Sequence, residues 1–223
     1  MNWKDLQNKH LGETCLIIGN GPSLKDMPIS FLKSYPSFGS NRIYLLDGFT
    51  PDYYACVNPL VIEQFCSEIN DMPARAKFIA MTNGLHFTIE NSFGVKSSGM
   101  PIFSFWPDKW IYEGHTVTYV LMQLAYYMGF KRALLVGVDH RFTYEGAPNE
   151  LKKAKWEIDP NHFCGQYFSS GTKWNNPDLE ASEHAYRMAK ISFENNNREI
   201  INLTPNSALD IFKKEDWQTW ELQ

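Results

Sequence analysis

The chain has 223 residues, 43% of them hydrophobic and 21% charged, which is enough for one well-buried domain and short for two. A net charge of −4 speaks against duplex nucleic acid as a partner, and no apolar run reaches the roughly 18–20 residues of a membrane span. The opening Met-Asn-Trp-Lys-Asp-Leu-Gln-Asn-Lys-His lacks the apolar stretch of a secretion signal, so the expectation is one cytoplasmic domain over residues 1–223.

In chain order, residues 15–18 (Cys-Leu-Ile-Ile) read as a buried parallel strand that runs straight into Gly19-Asn20-Gly21-Pro22-Ser23. Gly19 and Gly21 allow a sharp turn and a close approach of backbone to ligand. Pro22 and Ser23 suit the first turn of a helix, whose free N–H groups and positive dipole end attract a phosphate. No Gly-Lys-Ser/Thr follows, so the turn is not a Walker loop, and similar turns occur in α/β domains that bind nothing. Further strands are expected at 43–46, 54–57, 77–81, 102–104, 133–138 and 199–203. Helices are expected at 59–69, opened by Asn58-Pro59; at 116–128, apolar nearly all round and stopped by Gly129; and at 178–195, with Leu179, Tyr186, Ala189 and Phe193 on one face. Such alternation points to an α/β fold, a mostly parallel sheet flanked by helices.

Residues 140–177 break the pattern, being polar, aromatic and aperiodic. A stretch of that kind reads as a lid over a site, or as a subunit contact. Trp106, Trp110, Trp156 and Trp174 lie in loop-like segments and suit a sugar or base site, a buried anchor, or a homo-oligomer contact; they also leave room for peripheral contact with a membrane. Cys15, Cys56, Cys66 and Cys164 are scattered and read as buried thiols, with no disulfide frame or zinc site.

Ligands of an open parallel sheet bind beyond the carboxyl ends of its strands. That rule gathers Asn20 and Gly21 after the first strand, Asn58 after 54–57, and Gly137 with Asp139 and His140 at the end of 133–138. Asn41-Arg42 stands at the start of 43–46, and His115-Thr116 opens the buried helix. Amides, hydroxyls and helix amino ends recognise a base, a ribose or a phosphate without calling for a metal. Asn58 and Thr116 serve equally well as helix caps, and Asp139 as a partner of Arg42 or His140. No Asp-x-Asp occurs, so a two-metal site is not expected. For proton transfer the candidates are His162 and His140, with His115 third, whereas His10, His86 and His184 look like surface or half-buried positions. Tyr144, Tyr167 and Lys173 are nearby donors for a departing phosphate.

The Gly19-Asn-Gly-Pro-Ser-Leu turn, Asn41-Arg42, Gly137-Val-Asp-His140, Asp159-Pro-Asn-His-Phe163 and Thr204-Pro-Asn206 together resemble the MptE-like Rossmann domain family, named for archaeal 6-hydroxymethylpterin diphosphokinases. The same turn with Asn41, Asn58-Pro59, Gly137-Val-Asp139 and Thr204-Pro-Asn-Ser207 is similar to the bacterial sialyltransferases of glycosyltransferase family 42. The resemblance implies a Rossmann-like transferase with its donor across the glycine turn, bound through Asn20, Asn41 and Asn58, a stretch including Asn206 in the same site, and a lid after Asp139. The sialyltransferases use CMP-sialic acid and need no bound metal or other cofactor. Their catalytic histidine is matched here by Gln166, and a tyrosine after the strand end by Arg141, so the base would be His162 or His140 and the leaving group would meet Tyr167, Lys173 or Arg141. The leading expectation is a metal-independent glycosyltransferase that takes a CMP-activated sugar and a glycan acceptor in surface glycan synthesis. The alternatives are a diphosphokinase using ATP and Mg2+, and a non-catalytic nucleotide-binding module of a glycan-assembly complex.

Overall fold

A computed structural model describes residues 2–81, 89–155 and 157–220; Trp156 and His86 lie outside them. Eight strands form one sheet with every neighbouring pair parallel: β1 (Thr14–Ile18), β2 (Ser37–Ser40), β3 (Tyr53–Cys56), β4 (Ala76–Ala80), β5 (Ser92–Val95), β8 (Arg132–Val136), β11 (Glu199–Asn202) and β12 (Lys213–Lys214). Two short pairs complete the strands: β6 (Ser97–Ser98) with β7 (Ile111–Tyr112), and β9 (Leu151–Lys153) with β10 (Lys173–Asn175). The order across the large sheet is β12-β11-β8-β1-β2-β3-β4-β5. The chain winds outward from β1 to one edge and then returns to the other side of β1, so the order reverses between β1 and β8. This is a Rossmann-like fold, and the reversal opens a crevice at the carboxyl ends of those two strands.

The central strands are covered on both faces, which is why they are apolar runs without alternation: Cys15 to Ile18 and Ala133 to Val136 are all fully buried. Four helices connect or cover them: α1 (Ile29–Leu32), α2 (Pro59–Asp71), α3 (Val117–Tyr127) and α4 (Leu179–Glu194). Asn58, Thr116 and Asp178 cap α2, α3 and α4 through their side chains, accepting from Leu60, Thr118 and Ala181. Within α3, the fully buried Gln123 side chain accepts from the backbone of Ser104 and Tyr112 and donates to the carbonyls of Tyr112 and Tyr119, fastening the preceding loop to the helix. Among the described residues no helix is long and apolar enough to cross a membrane.

Three expected elements are corrected. Residues 43–46 form a 3-10 turn (Ile43–Leu45), and the strand is β2, whose Ser-Phe-Gly-Ser sequence is buried without being hydrophobic. Asn41 and Arg42 therefore follow a carboxyl end instead of preceding a strand. Residues 102–104 are not a strand, since the Ser104 amide and hydroxyl are taken by Gln123 and the Trp110 carbonyl; the edge strand is β5. The helix after the glycine turn is a five-residue 3-10 turn, Pro22–Asp26, because Pro28 forces Met27 into extended backbone. His10 is also buried, stacked on Phe130 and bonded to the Tyr53 hydroxyl at 2.8 Å. Of the thiols, Cys15 and Cys56 are buried, while Cys66 and Cys164 are half-buried.

Gly19 is required for a steric reason: a Cβ there would collide with the Gly137 carbonyl, which is backbone and cannot swing aside. Gly19→Ala is expected to lower stability by about 1–3 kcal/mol in a urea melt, the usual cost of overpacking.

Candidate functional site

Two adjoining clefts lie over the carboxyl ends. The first, of about 610 Å³, is lined by the 19–21 turn, residues 137–142, His115, Thr116, Asn161 and His162 and one flank of α4. The second, of about 1460 Å³, is lined by Asn41, Asn58, the Phe168 and Trp174 rings, Lys173 and Asn176, among others. His115, Thr116, Phe142, His162, Pro177 and Asp178 belong to both and form the wall where the clefts meet.

The glycine turn is not the phosphate cradle that its sequence suggests. Gly19 N–H donates to the Val136 carbonyl and Gly21 N–H to the Gly137 carbonyl, each at 2.8 Å. Pro22 has no N–H, and the Ser23 amide and hydroxyl donate to the two carboxylate oxygens of Asp139 at 3.1 and 2.8 Å. The chain's own carboxylate thus holds the position at which an anion would be drawn. Burial pushes the Asp139 pKa up despite the opposing Ser23 hydrogen bonds. Asn20 is oriented by its amide group, which donates to the Ser40 carbonyl and hydroxyl at 3.3 and 3.2 Å, and its buried Oδ1 has no partner among the described residues. The turn therefore offers a ligand acceptors more than donors.

His162 is the best-positioned titratable group of the site. Its Nδ1 lies 2.9 Å from Oδ2 of Asp159, whose side chain is fully buried and also accepts from the amides of Asn161 and Phe168. The imidazole stacks on the Tyr167 ring at 3.9 Å between centroids and 3° between planes. A carboxylate on one ring nitrogen fixes the tautomer and leaves Nε2 as the free base. His140, with a left-handed backbone (φ 55°), lines the first cleft and bonds Glu183 at 3.3 Å, and Glu183 in turn holds Arg187 at 2.9 Å.

Several candidates sit elsewhere or serve the scaffold. Arg42 is buried outside both clefts, with its guanidinium bonded to the Tyr44 hydroxyl and to the carbonyls of Gln166 and Tyr167, 4.0 Å from the Phe65 ring centroid. Tyr167 is buried, its hydroxyl accepts from the Arg42 amide, and burial pushes its phenol far above the ordinary value, so it supports His162 from below instead of meeting a phosphate. Asn206 is exposed and lines neither cleft, although its neighbours Thr204 and Ser207 brace the end of β8 through Val138. Tyr144 lies outside the two clefts. Arg141 is exposed on the first cleft and Lys173 on the second. Asp159 was missed as a functional residue; its signal is the i,i+3 spacing to His162.

Comparison with known proteins follows this geometry. The model of the family described as "6-hydroxymethylpterin diphosphokinase MptE-like" matches residues 1–145. The chain belongs to the MptE-like family. No curated protein sequence matches it. Its fold is similar to that of the Maf glycosyltransferase from Magnetospirillum magneticum AMB-1, at 15% identity and a TM-score of 0.62 over 96% of this chain, which spans only 35% of that protein. The sialyltransferase CstII from Campylobacter jejuni, in complex with the substrate analogue cytidine-5'-monophosphate, is similar at 16% identity and a TM-score of 0.53, over 92% of this chain and 85% of that one.

The diphosphokinase after which the MptE-like family is named would bring ATP and Mg2+, and the residues present do not suit the metal. Among the described residues no three His, Cys, Asp or Glu side chains gather as a ligand set. Asp139, the carboxylate at the switch point, is committed to Ser23 through both of its oxygens, and burial pushes its pKa up.

Asp139 also gives the stability a pH dependence. The folded state keeps its proton to a higher pH than the unfolded chain does, so this group's contribution is full below the unfolded pKa and is lost as pH rises through the raised folded value. Asp139→Asn keeps an acceptor for the Ser23 amide without the buried charge. Its melting temperature relative to the parent is expected to rise as pH climbs from the ordinary carboxylate range through the raised folded value. Arg42→Ala, which strips the donors from the Gln166 and Tyr167 carbonyls, is expected to cost about 2–3 kcal/mol and to hasten proteolysis within residues 159–168.

Proposed function

We propose that the protein is a glycosyltransferase that takes a nucleotide-activated sugar, with a CMP-sugar as the favoured donor, and uses His162 as its general base. The observation that carries this reading is the Asp159–His162 pair at the wall shared by two clefts, one for each reactant. The similarity of fold to the Maf glycosyltransferase and to the CMP-bound sialyltransferase supports it. The nucleotide sugar occupies the first cleft, beside Asn20, His115 and Thr116, and the acceptor enters through the second.

An acceptor hydroxyl gives its proton to Nε2 of His162 as its oxygen attacks the anomeric carbon. The bond from that carbon to the phosphate oxygen breaks, and its electron pair leaves with the nucleotide. Asp159 steadies the imidazolium so formed, and the neighbouring backbone amides hold the carboxylate in place. Arg141, on the first cleft, meets the charge that develops on the departing phosphate, and His140, fixed by Glu183, stands beside it. The MptE-like match favours a second reading, diphosphate transfer from ATP to a pterin-type alcohol.

Incubation with a panel of nucleotide sugars and with ATP, with and without EDTA, separates the two. Turnover of a nucleotide sugar that survives EDTA is expected; consumption of ATP alone, abolished by EDTA, would overturn the proposal. His162→Ala should lower the transfer rate by about 10²–10⁴-fold, with a lesser loss in His140→Ala. The reverse ranking would move the base to His140.

A further inference from the structure

The outer face of the β9–β10 hairpin carries a third groove, of about 770 Å³, which the transfer chemistry does not use. Lys152, Lys153 and Lys155 line it together with Tyr144, Trp174 and Asn176. Lys152 is paired with Glu150 at 2.6 Å, whereas Lys153 and Lys155 have no ion pair among the described residues. Glu145 is the one acidic side chain on its wall, so the groove is cationic in a chain whose net charge is −4.

Asn176 supplies an independent indication of a ligand. Its side chain is only 2% exposed, and its Nδ2 donates to the carbonyls of Glu145 and Ala147, both at 2.9 Å. Two carbonyl oxygens can only accept, so the amide cannot be turned over. Among the described residues Oδ1 is then an acceptor without a partner, a buried state that is costly to leave unmet. A ligand hydroxyl would meet it. Asn176 and Trp174 also line the second cleft, so the groove adjoins that cleft.

We propose that this groove binds an acidic saccharide, with a sugar hydroxyl on Asn176 Oδ1 and a carboxylate or phosphate group against Lys153 and Lys155. Its role as an outer acceptor subsite rests on the transferase reading above. The half-buried Tyr144 ring beside hydrogen-bonding and cationic groups suits a sugar ring that bears an anionic substituent.

Binding is read by calorimetry on the full chain, without turnover, using trigalacturonic acid, glucose 6-phosphate, the neutral maltotriose and inorganic phosphate as probes. One or both anionic sugars are expected to bind more tightly than maltotriose, to weaken with added salt, and to lose about tenfold or more in a Lys153→Glu/Lys155→Glu variant. Whichever of the two binds better identifies the anionic group as carboxylate or phosphate. Asn176→Ala, with its fold checked by melting temperature, should weaken the same sugar; where that variant does not fold, the exposed lysines still decide. The proposal is overturned if neither anionic sugar binds, if both bind the lysine variant unchanged, or if inorganic phosphate alone binds as tightly as the sugars. Saccharide binding without nucleotide-sugar turnover would leave the groove standing and sink the transferase reading, and turnover without such binding would do the opposite.

Discussion

Two backbone turns, 19–21 after β1 and 137–139 after β8, approach so closely that neither Gly19 nor Gly21 has room for a side chain. The Gly21 amide donates directly to the Gly137 carbonyl, and Asp139 reaches across to bind Ser23 twice. This contact closes the floor of the crevice at the point where strand order reverses. Everything above it is referenced to that floor: Phe163 of the covering segment donates to the Asn20 carbonyl, and Ala208 donates to that of Asp139. The same contact takes the Gly21 and Ser23 amides, so the chemistry of the turn follows from its packing.

The covering segment is held at a second place by the Arg42 guanidinium, which grips two consecutive carbonyls of residues 166 and 167 while lying against Phe65. A buried cation of this kind is stable only because backbone acceptors and aromatic faces surround it. Gln64 adds a tether by bonding both the amide and the carbonyl of Lys173. α2 departs from helical backbone at Phe65, the residue that meets Arg42 and follows Gln64.

What could be read from the chain followed physical lines. Strands β1, β3, β4, β8 and β11 were legible because burial on both faces demands apolar runs, and the three long helices because proline, asparagine, threonine and aspartate mark their starts. β2 and β5 were not, since in Ser-Phe-Gly-Ser and Ser-Phe-Gly-Val the buried phenylalanine is flanked by serine and glycine, which leaves no apolar run to read. The strand-end rule gathered Asn20, Asn58, Thr116, Asp139 and His140, each of which lines one of the two clefts, as does His162 of the 140–177 segment. Its polarity was hidden, because the partner that neutralises the Ser23 amide lies 116 residues away. Arg42 looked like a ligand group for the same reason: its two carbonyl acceptors are more than a hundred residues distant.

The stacking of His162 on Tyr167 ties the candidate base to the scaffold through a short series of contacts, because the Tyr167 hydroxyl rests on the Arg42 amide at 3.1 Å. The imidazole owes its place to residues 159–168 being seated, not to the sheet itself. If that segment lifts, Asp159, the Tyr167 ring and His162 leave together, and the crevice keeps its floor but holds no oriented base. On the transferase reading proposed above, readiness for chemistry is then a property of one docked loop, and a donor that met the crevice with the loop undocked would find no oriented base to activate a nucleophile, water included.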